Sequence, residues 1–239
     1  MKQAVNPARP VVLLTGIAEG LGANIAGVFA ANGYDVLGLA RSDKAAAPVA
    51  RLVGQQGGSY AHIACDLTRP AEVADALRVH ADRVAVLIHN AAVLLIRDFA
   101  ETTAEEFEQV WRVACLGAVA ASQAVLPHMS ARGTGAIIFS GATAGTRGAA
   151  RFAAFASAKF ALRGLAQSLA REYGPRGVHV AHVVLDGLID EAQTDRRFGP
   201  APSGRMDPEV LARAYFGLAA QPSSAWTHEL DLRPFSGGF

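Results

Sequence analysis

A glycine-rich segment near the beginning of the chain has the residue types that bind phosphate groups. It reads TGIAEGLG from Thr15 to Gly22, between an apolar run at Val11–Thr15 and a segment of helical period. Glycines allow a tight turn and a close backbone approach to a pyrophosphate, which the N–H groups at the start of the helix then hold. Because the turn lies between a strand and a helix, it predicts a dinucleotide-binding site rather than a plain turn.

One lysine in the second half of the chain could also take part in chemistry. Lysine occurs only at positions 2, 44 and 159, and every other basic residue of the chain is arginine. Composition alone favours an ordinary surface lysine at Lys159. Its place in a sequence motif, described below, favours a functional one.

Composition excludes several classes of protein. The 239 residues are 51% hydrophobic and 18% charged, which excludes a disordered chain. The net charge of +1 argues against nucleic acid or an anionic membrane as the main partner. Cys65 and Cys115 are isolated, and no metal-ligand spacing is present. With no long apolar stretch and no signal peptide, we expect a cytoplasmic protein with free thiols, no membrane span and no metal.

The elements that must position these residues alternate along the chain. Short apolar runs separated by segments of helical period predict βαβ units, with a parallel sheet and helices on both faces. The predicted strands are Val11–Thr15, Asp35–Ala40, Tyr60–Ala64, Val84–His89, Gly135–Ser140, Val178–Leu185 and Thr227–Leu232. The predicted helices are Gly20–Asn32, Lys44–Gln55, Pro70–His80, Thr103–Arg132, Phe152–Tyr173 and Asp207–Ala220.

Across almost its whole length the sequence resembles the short-chain dehydrogenase/reductase family. The glycine spacing is the TGxxxGxG of that family, and Asp66 follows the third strand like its adenine-contacting aspartate. Asn90-Ala91-Ala92 is similar to its NAG motif, and Ser157-Ala158-Lys159 to the end of its YxxxK segment. The resemblance implies one Rossmann-like, doubly wound α/β domain over residues 1–239, with a seven-stranded parallel sheet. Its dinucleotide-binding part would span about 10–135 and its catalytic and substrate part about 136–239.

The end of the second strand bears on the choice of cofactor. NAD-type members of the family carry an acidic residue there, whereas this chain has Ala40 followed by Arg41. A guanidinium can bind a 2′-phosphate bidentately, so we expect NADP(H) to be preferred and NAD(H) to remain possible. Glu19 argues against NADP(H), because many NADP-type members carry a basic residue at this position of the glycine turn. By resemblance, the cofactor-binding residues are Gly16, Glu19, Gly20, Leu21, Gly22, Arg41, Asp66, Leu67, Asn90, Ala91 and Lys159.

The catalytic positions depart from the family pattern. The family uses a tyrosine as proton donor, a lysine four residues later, a serine thirteen residues before the tyrosine, and an asparagine on the preceding helix. Lys159 fits the lysine, but the other positions hold Phe155, Ala142 and Ala114. Loss of one general acid typically costs about 10²–10⁴ in rate, so the usual carbonyl reduction is in doubt.

Neighbouring residues could take over part of this role. The hydroxyl of Thr143, beside Ala142, could turn inward, although packing at a strand end explains this residue equally well. Asp186, at the carboxyl end of the sixth strand, could act as acid or base, although it could also serve only the Asp-Gly turn. Arg147 and Arg151 could bind an anionic substrate, and Phe155 would give the substrate pocket an aromatic wall. Residues 186–206 lack a clear period and are either a lid or a disordered segment.

Three functions remain open on the sequence. The first is an NADP(H)-dependent oxidoreductase of atypical mechanism acting on a small molecule. The second is an inactive NADP(H)-binding sensor or partner subunit, and the third is a non-redox enzyme on the same scaffold. The resemblance also implies a homodimer or homotetramer formed through the two long helices.

Overall fold

Seven parallel strands form one sheet in the computed structural model, which describes residues 9–200 and 203–236. The strands lie in the order β3-β2-β1-β4-β5-β6-β7. This confirms the predicted doubly wound α/β fold. Their bounds are Val11–Thr15 (β1), Asp35–Ala40 (β2), Tyr60–Ala64 (β3), Val84–His89 (β4), Gly135–Ser140 (β5), Val178–Leu185 (β6) and Glu229–Leu232 (β7).

Continuous apolar runs form the central strands because helices cover both faces of the sheet. All five residues of β1 are buried, and so are seven of the eight residues of β6. The edge strand β7, with the sequence ELDL, alternates between exposed and half-buried positions. It begins two residues later than predicted, and the N–H of Thr227 donates to the Gln221 side chain at 2.7 Å.

Eight α-helices surround the sheet in the described part of the chain. One apolar cluster packs α3, α5 and α6 against one face of the sheet, and a second packs α1, α2 and α8 against the other. The helices are Leu21–Ala31 (α1), Ala46–Gln55 (α2), Pro70–Leu77 (α3), Ala104–Trp111 (α4), Gly117–Arg132 (α5), Ala153–Tyr173 (α6), Ala192–Phe198 (α7) and Pro208–Ala219 (α8).

The long helix predicted from Thr103 to Arg132 contains a π-helical turn. Thr103 and Glu106 form a capping box at its start, and Arg112–Leu116 then form the π-turn between α4 and α5. By length and composition the stretch Ala104–Arg132 could cross a membrane, but 61% of its most apolar window is buried inside the fold. Its apolar residues are therefore those of a core helix.

The segment 186–206, expected to be either a lid or disordered, contains regular structure over 186–200 and 203–206. It contains α7, which lacks the length for a clear helical period, and a bridge between Ile189 and Met206. Arg205, with a side chain only 5% exposed, lies 2.5 Å from the Asp195 carboxylate and also donates to the Gly199 carbonyl. These bonds tie the end of the segment to α7, while the Ile189–Met206 bridge joins the end to the beginning.

Candidate functional site

A cavity of about 880 Å³ opens at the carboxyl end of the sheet. It lies at the topological switch point between the neighbouring strands β1 and β4, where the order of the strands reverses. Ligands bind at this position in sheets of this topology. Predicted site residues form much of its lining: Gly16, Glu19, Leu21, Gly22, Arg41, Asp66, Leu67, Asn90, Ala91, Ala142, Thr143, Arg147, Phe155 and Lys159. Gly20, Ala114, Arg151 and Asp186 are not part of the lining.

The glycine turn requires glycine for two separate reasons. Gly16 and Gly20 have φ angles of +74° and +88°, which L side chains rarely adopt. A Cβ on Gly16 would also lie 2.4 Å from the Cα of Ala91. The turn is anchored on its other side by the Gly16 N–H, which donates to the Leu39 carbonyl at 2.8 Å. The backbone can therefore come close to a ligand here.

An acidic and a basic residue lie together at the β2–β3 end of the cavity. The Asp66 carboxylate accepts hydrogen bonds from the Thr68 N–H at 2.9 Å and from the Thr68 hydroxyl at 2.8 Å. These bonds, with smaller contributions from the charges of Arg69 and Arg41, lower the pKa of Asp66. The exposed Arg41 follows the last residue of β2, Ala40. Arg41 therefore presents a guanidinium at the mouth of the cavity beside an ionised carboxylate.

A buried histidine that sequence reasoning missed ties the two central strands together. His89 lies opposite Thr15 in the sheet, and its Nδ1 is 2.7 Å from the Thr15 hydroxyl. Its Nε2 lies 3.0 Å from the carbonyl of Ala114 in the π-turn. A carbonyl only accepts, so Nε2–H donates to it and Nδ1 accepts from Thr15. Burial lowers the pKa of His89 to about 3, so the ring is neutral and this tautomer is fixed.

Lys159 is buried rather than exposed. Its Nζ donates to the carbonyl of Ser140 at 2.7 Å and lies 5.6 Å from the centre of the Phe155 ring. Burial lowers the pKa of Lys159 to about 8. The Ser140 hydroxyl lies 2.8 Å from the hydroxyl of Tyr215 on α8, so it is held by the helix layer opposite α6. An ammonium group thus reaches the cavity with one carbonyl and one aromatic face around it.

Three apolar residues from separate elements meet beside this lysine. Ala114 comes from the π-turn, Ala142 from the segment after β5 and Phe155 from the first turn of α6. All three belong to one hydrophobic cluster, in which Ala114 and Phe155 are buried and Ala142 packs against them. The cluster also contains Val110, Ala144, Ala154, Ala156, Ala158, Val93, Leu94, Leu95, Phe107 and Phe152. This wall of the cavity offers almost no polar side chain to a ligand.

Thr143 and Asp186 are brought together. The Thr143 hydroxyl donates to an Asp186 oxygen at 2.5 Å. The Asp186 carboxylate, 13% exposed, also lies 3.3 Å from Arg233 and 3.9 Å from Arg147. Thr143 lines the cavity and Asp186 lies behind it, while its chain neighbours Leu185 and Gly187 reach the lining. Asp186 therefore contacts two residues of the cavity lining, Thr143 and Arg147, without lining the cavity itself.

The two arginines expected to bind substrate separate in space. Arg147 lines the cavity, with a side chain 58% exposed. Arg151 turns away, because its backbone has a φ of +70° and its guanidinium lies 3.1 Å from Asp98. The structure thus does not bring Arg151 to the site. Arg197 of α7 lines the cavity instead and donates to the Leu94 carbonyl at 2.8 Å.

The segment 186–206 also supplies an unexpected contact to the glycine turn. A carboxylate oxygen of Glu191 accepts a hydrogen bond from the N–H of Leu21, the first residue of α1, at 3.2 Å. The two residues are 170 positions apart, and no local pattern could have predicted the contact.

Comparison with known proteins shows the family. The family described as short chain dehydrogenase matches residues 10–197. The 3-oxoacyl-(acyl-carrier-protein) reductase FabG of Escherichia coli is 30% identical over 228 residues, covering 92% of this chain and 93% of that protein. The chain therefore belongs to the short-chain dehydrogenase/reductase family, whose members matched here include oxidoreductases.

Solved structures agree with the fold over nearly the whole chain. A short-chain dehydrogenase from Rhodopseudomonas palustris has a TM-score of 0.81 and 35% identity, covering 96% of this chain and all of its own. A metagenomic short-chain oxidoreductase in complex with NADP has a TM-score of 0.82 and 26% identity, covering 95% of this chain and 98% of its own.

Proposed function

We propose that this chain is an NADP(H)-dependent oxidoreductase whose active site lacks the tyrosine, serine and asparagine of its family. The observation that carries the proposal is a cavity in which the glycine turn and a buried lysine remain together. Gly16 and Gly20 put no side chain of their own between the backbone and a diphosphate, and Lys159 lines the same cavity as Gly16. The residues present therefore fit a dinucleotide.

Arg41 supports a preference for NADP(H) over NAD(H). It is exposed at the cavity mouth, where a carboxylate would repel a 2′-phosphate and a guanidinium can bind one. The ionised Asp66 lies on the same wall, and the two hydrogen bonds that it accepts from Thr68 fix the position of its carboxylate. The metagenomic relative described above was solved with NADP, which agrees with this choice.

At the other end of the cavity, the bound nicotinamide would supply or accept a hydride. Lys159 would hold the cofactor with its ammonium group and keep a proton at Nζ, while Phe155 and Ala142 exclude water. Since neither of these two side chains can donate a proton, the site favours an acceptor that is already activated. An iminium needs no proton because the hydride neutralises its charge, whereas a conjugated alkene would take one from Lys159 or Thr143.

A second function is favoured by the same apolar wall. Without a proton donor beside the nicotinamide, the chain would bind NADP(H) and act as a sensor or as the inactive subunit of an assembly. Steady hydride transfer to any purified substrate would exclude this function. Product formation without a change in the cofactor would instead indicate non-redox chemistry.

The cofactor proposal is tested by titrating the protein with NADPH and, separately, with NADH while following cofactor fluorescence. NADPH is expected to bind more tightly. Arg41→Ala should weaken NADPH binding by roughly 10- to 100-fold, since a charged hydrogen bond contributes about 1.5–3 kcal/mol, and should leave NADH unchanged. Arg51→Ala, an exposed position on α2, is the matched control. Equal loss for both cofactors, or binding of neither, would contradict the proposal.

We also propose a homodimer or homotetramer in the cytoplasm. Trp111 at the end of α4 and Phe160 on α6 are 39% and 44% exposed, and these are the helices through which the family assembles. Both cysteines are buried and unpaired, which agrees with a reducing compartment. A monomeric mass in light scattering would contradict the assembly.

A further inference from the structure

The anion-binding position of the glycine turn is filled by a side chain of the protein itself. A Cβ placed on Gly20 would lie 2.0 Å from a carboxylate oxygen of Glu191. The same oxygen accepts from the N–H of Leu21 at 3.2 Å. Gly20, the N-cap of α1, has no side chain to cap the helix, and the first turn of α1 contains no acidic residue. Glu191 therefore supplies the negative charge that a helix N-terminus attracts.

The segment 186–206 holds Glu191 across the mouth of the cavity. On one side of the cavity Glu191 contacts α1, and on the other Arg197 bonds the Leu94 carbonyl after β4. Ile189, Glu191, Gln193, Thr194 and Phe198 all line the cavity. The segment thus bonds to two separate sides of the cavity, and only the Glu191 contact is made to the glycine turn.

A diphosphate and the Glu191 carboxylate would compete for the same place. Both are anions, both need the N–H groups at the start of α1, and their mutual repulsion is strong in a partly buried site. Burial raises the pKa of Glu191, while the Leu21 N–H and Arg196 lower it. In its charged form the carboxylate is thus held at a desolvation cost, and a ligand that displaces it into solvent relieves that cost.

We infer that Glu191 is an internal occupant of the phosphate-binding turn and that it lowers dinucleotide affinity in this chain by competing for that turn. Binding exchanges the carboxylate for the diphosphate of the cofactor and releases the segment 186–206 from α1. The inference rests on the proposed function, since it takes a dinucleotide as the ligand. It goes beyond that function because the Glu191 carboxylate of the chain itself competes with the diphosphate for the turn.

Calorimetric titrations of the full chain with NADPH and with inorganic pyrophosphate test the inference. Glu191→Gln removes the charge and Glu191→Ala removes the side chain. Both should tighten NADPH and pyrophosphate binding by roughly tenfold or more, because the competing anion is gone. Asp190→Asn is the matched control, since it removes a neighbouring charge that lies 3.7 Å from Arg205 and 66% exposed. Its affinities should stay at the wild-type values.

A second readout follows the segment itself, and its comparison of Glu191→Ala with the wild type needs no cofactor. In hydrogen exchange, amides of residues 188–195 should exchange faster in Glu191→Ala than in the wild type, and NADPH should speed their exchange in the wild type. Thermal unfolding confirms that each variant is folded.

The outcomes separate the inference from the proposed function. NADPH binding that is equal or weaker in both Glu191 variants would overturn the inference and leave the proposed function standing. If neither wild type nor variants bind NADPH but the variants bind pyrophosphate more tightly, the proposed function falls and the internal anion remains. Failure to bind either ligand in any form overturns both.

Discussion

The two walls of the cavity differ in the side chains that they present to a ligand. The wall formed by the glycine turn, Arg41, Asp66 and Asn90 carries the groups that we propose hold a dinucleotide. The opposite wall contains Ala142 and Phe155 beside Lys159, and Ala114 belongs to the same apolar cluster behind them. Binding depends largely on backbone geometry, whereas chemistry depends on side chains. A fold can therefore keep the first while the second changes.

Restoring polar groups to the apolar wall should have the largest effect. The triple variant Phe155→Tyr, Ala142→Ser, Ala114→Asn is expected to reduce simple ketones about 10²–10⁴ faster than the wild type, since it regains a general acid beside Lys159. NADPH oxidation, followed by the loss of its absorbance, measures the rate.

The matched control for this gain is Phe152→Tyr. Phe152 lies in the same cluster and lines the same cavity, but it does not occupy the position four residues before Lys159. A tyrosine hydroxyl introduced there would therefore not replace the family's proton donor. If the control gains as much as the triple variant, the two walls do not differ in the way described.

Damage to the binding wall should have the next largest effect. Gly16→Ala places a Cβ 2.4 Å from the Ala91 Cα at a φ of +74°. We expect NADPH affinity to fall about 100-fold or more, and unfolding free energy by about 2–3 kcal/mol from overpacking and backbone strain. Fluorescence titration and urea unfolding measure the two effects.

Gly33→Ala is the control that separates the backbone strain in Gly16→Ala from its steric clash with Ala91. Gly33 has a φ of +90°, and no atom lies within 4 Å of the place that a Cβ would take, so only the strain of about 1 kcal/mol should appear. Unchanged NADPH binding in Gly16→Ala would show that the turn does not hold the cofactor.

The pH dependence of Lys159 gives the smallest effect and links the two walls. Because the pKa of this buried group is about 8, NADPH affinity should fall several-fold as pH rises through 8 and the ammonium charge is lost. Folding stability should change in the opposite direction. The folded pKa lies below the ordinary value of 10.5, so the folded state holds fewer protons between the two values and stability rises with pH there.

Lys159→Met should remove both pH trends, with affinity measured by fluorescence titration and stability by urea unfolding across the interval between the two pKa values. A decline in affinity that persists in Lys159→Met would assign it to another group.

Much of the fold follows from local sequence pattern. The buried runs of β1 and β6 and the glycine turn are recognisable because each is set by neighbours in the chain. The positions of Phe155 and Lys159 on one helix also follow from spacing alone, and the structure places both at the cavity.

The remaining features depend on contacts between distant residues. The bond from Leu21 to Glu191 and the pair Thr15–His89 join positions 170 and 74 residues apart, so no window of sequence contains them. Arg151 shows the converse case, because its left-handed backbone directs the side chain to Asp98 rather than to the cavity. Helix α7 went unrecognised because two turns are too short to show a period.

The place of β1 in the sheet also has a consequence for biosynthesis. Thr15 pairs with His89, 74 residues later, so a nascent chain elongating at about 5–20 residues per second must wait about 4–15 s before β1 gains its second neighbour. During that interval β1 can pair only with β2, and Ala91 is not yet present to close over Gly16. The contact of Ala91 with Gly16 can thus form only after the fourth strand has emerged, and the contact of Glu191 with the turn only later still.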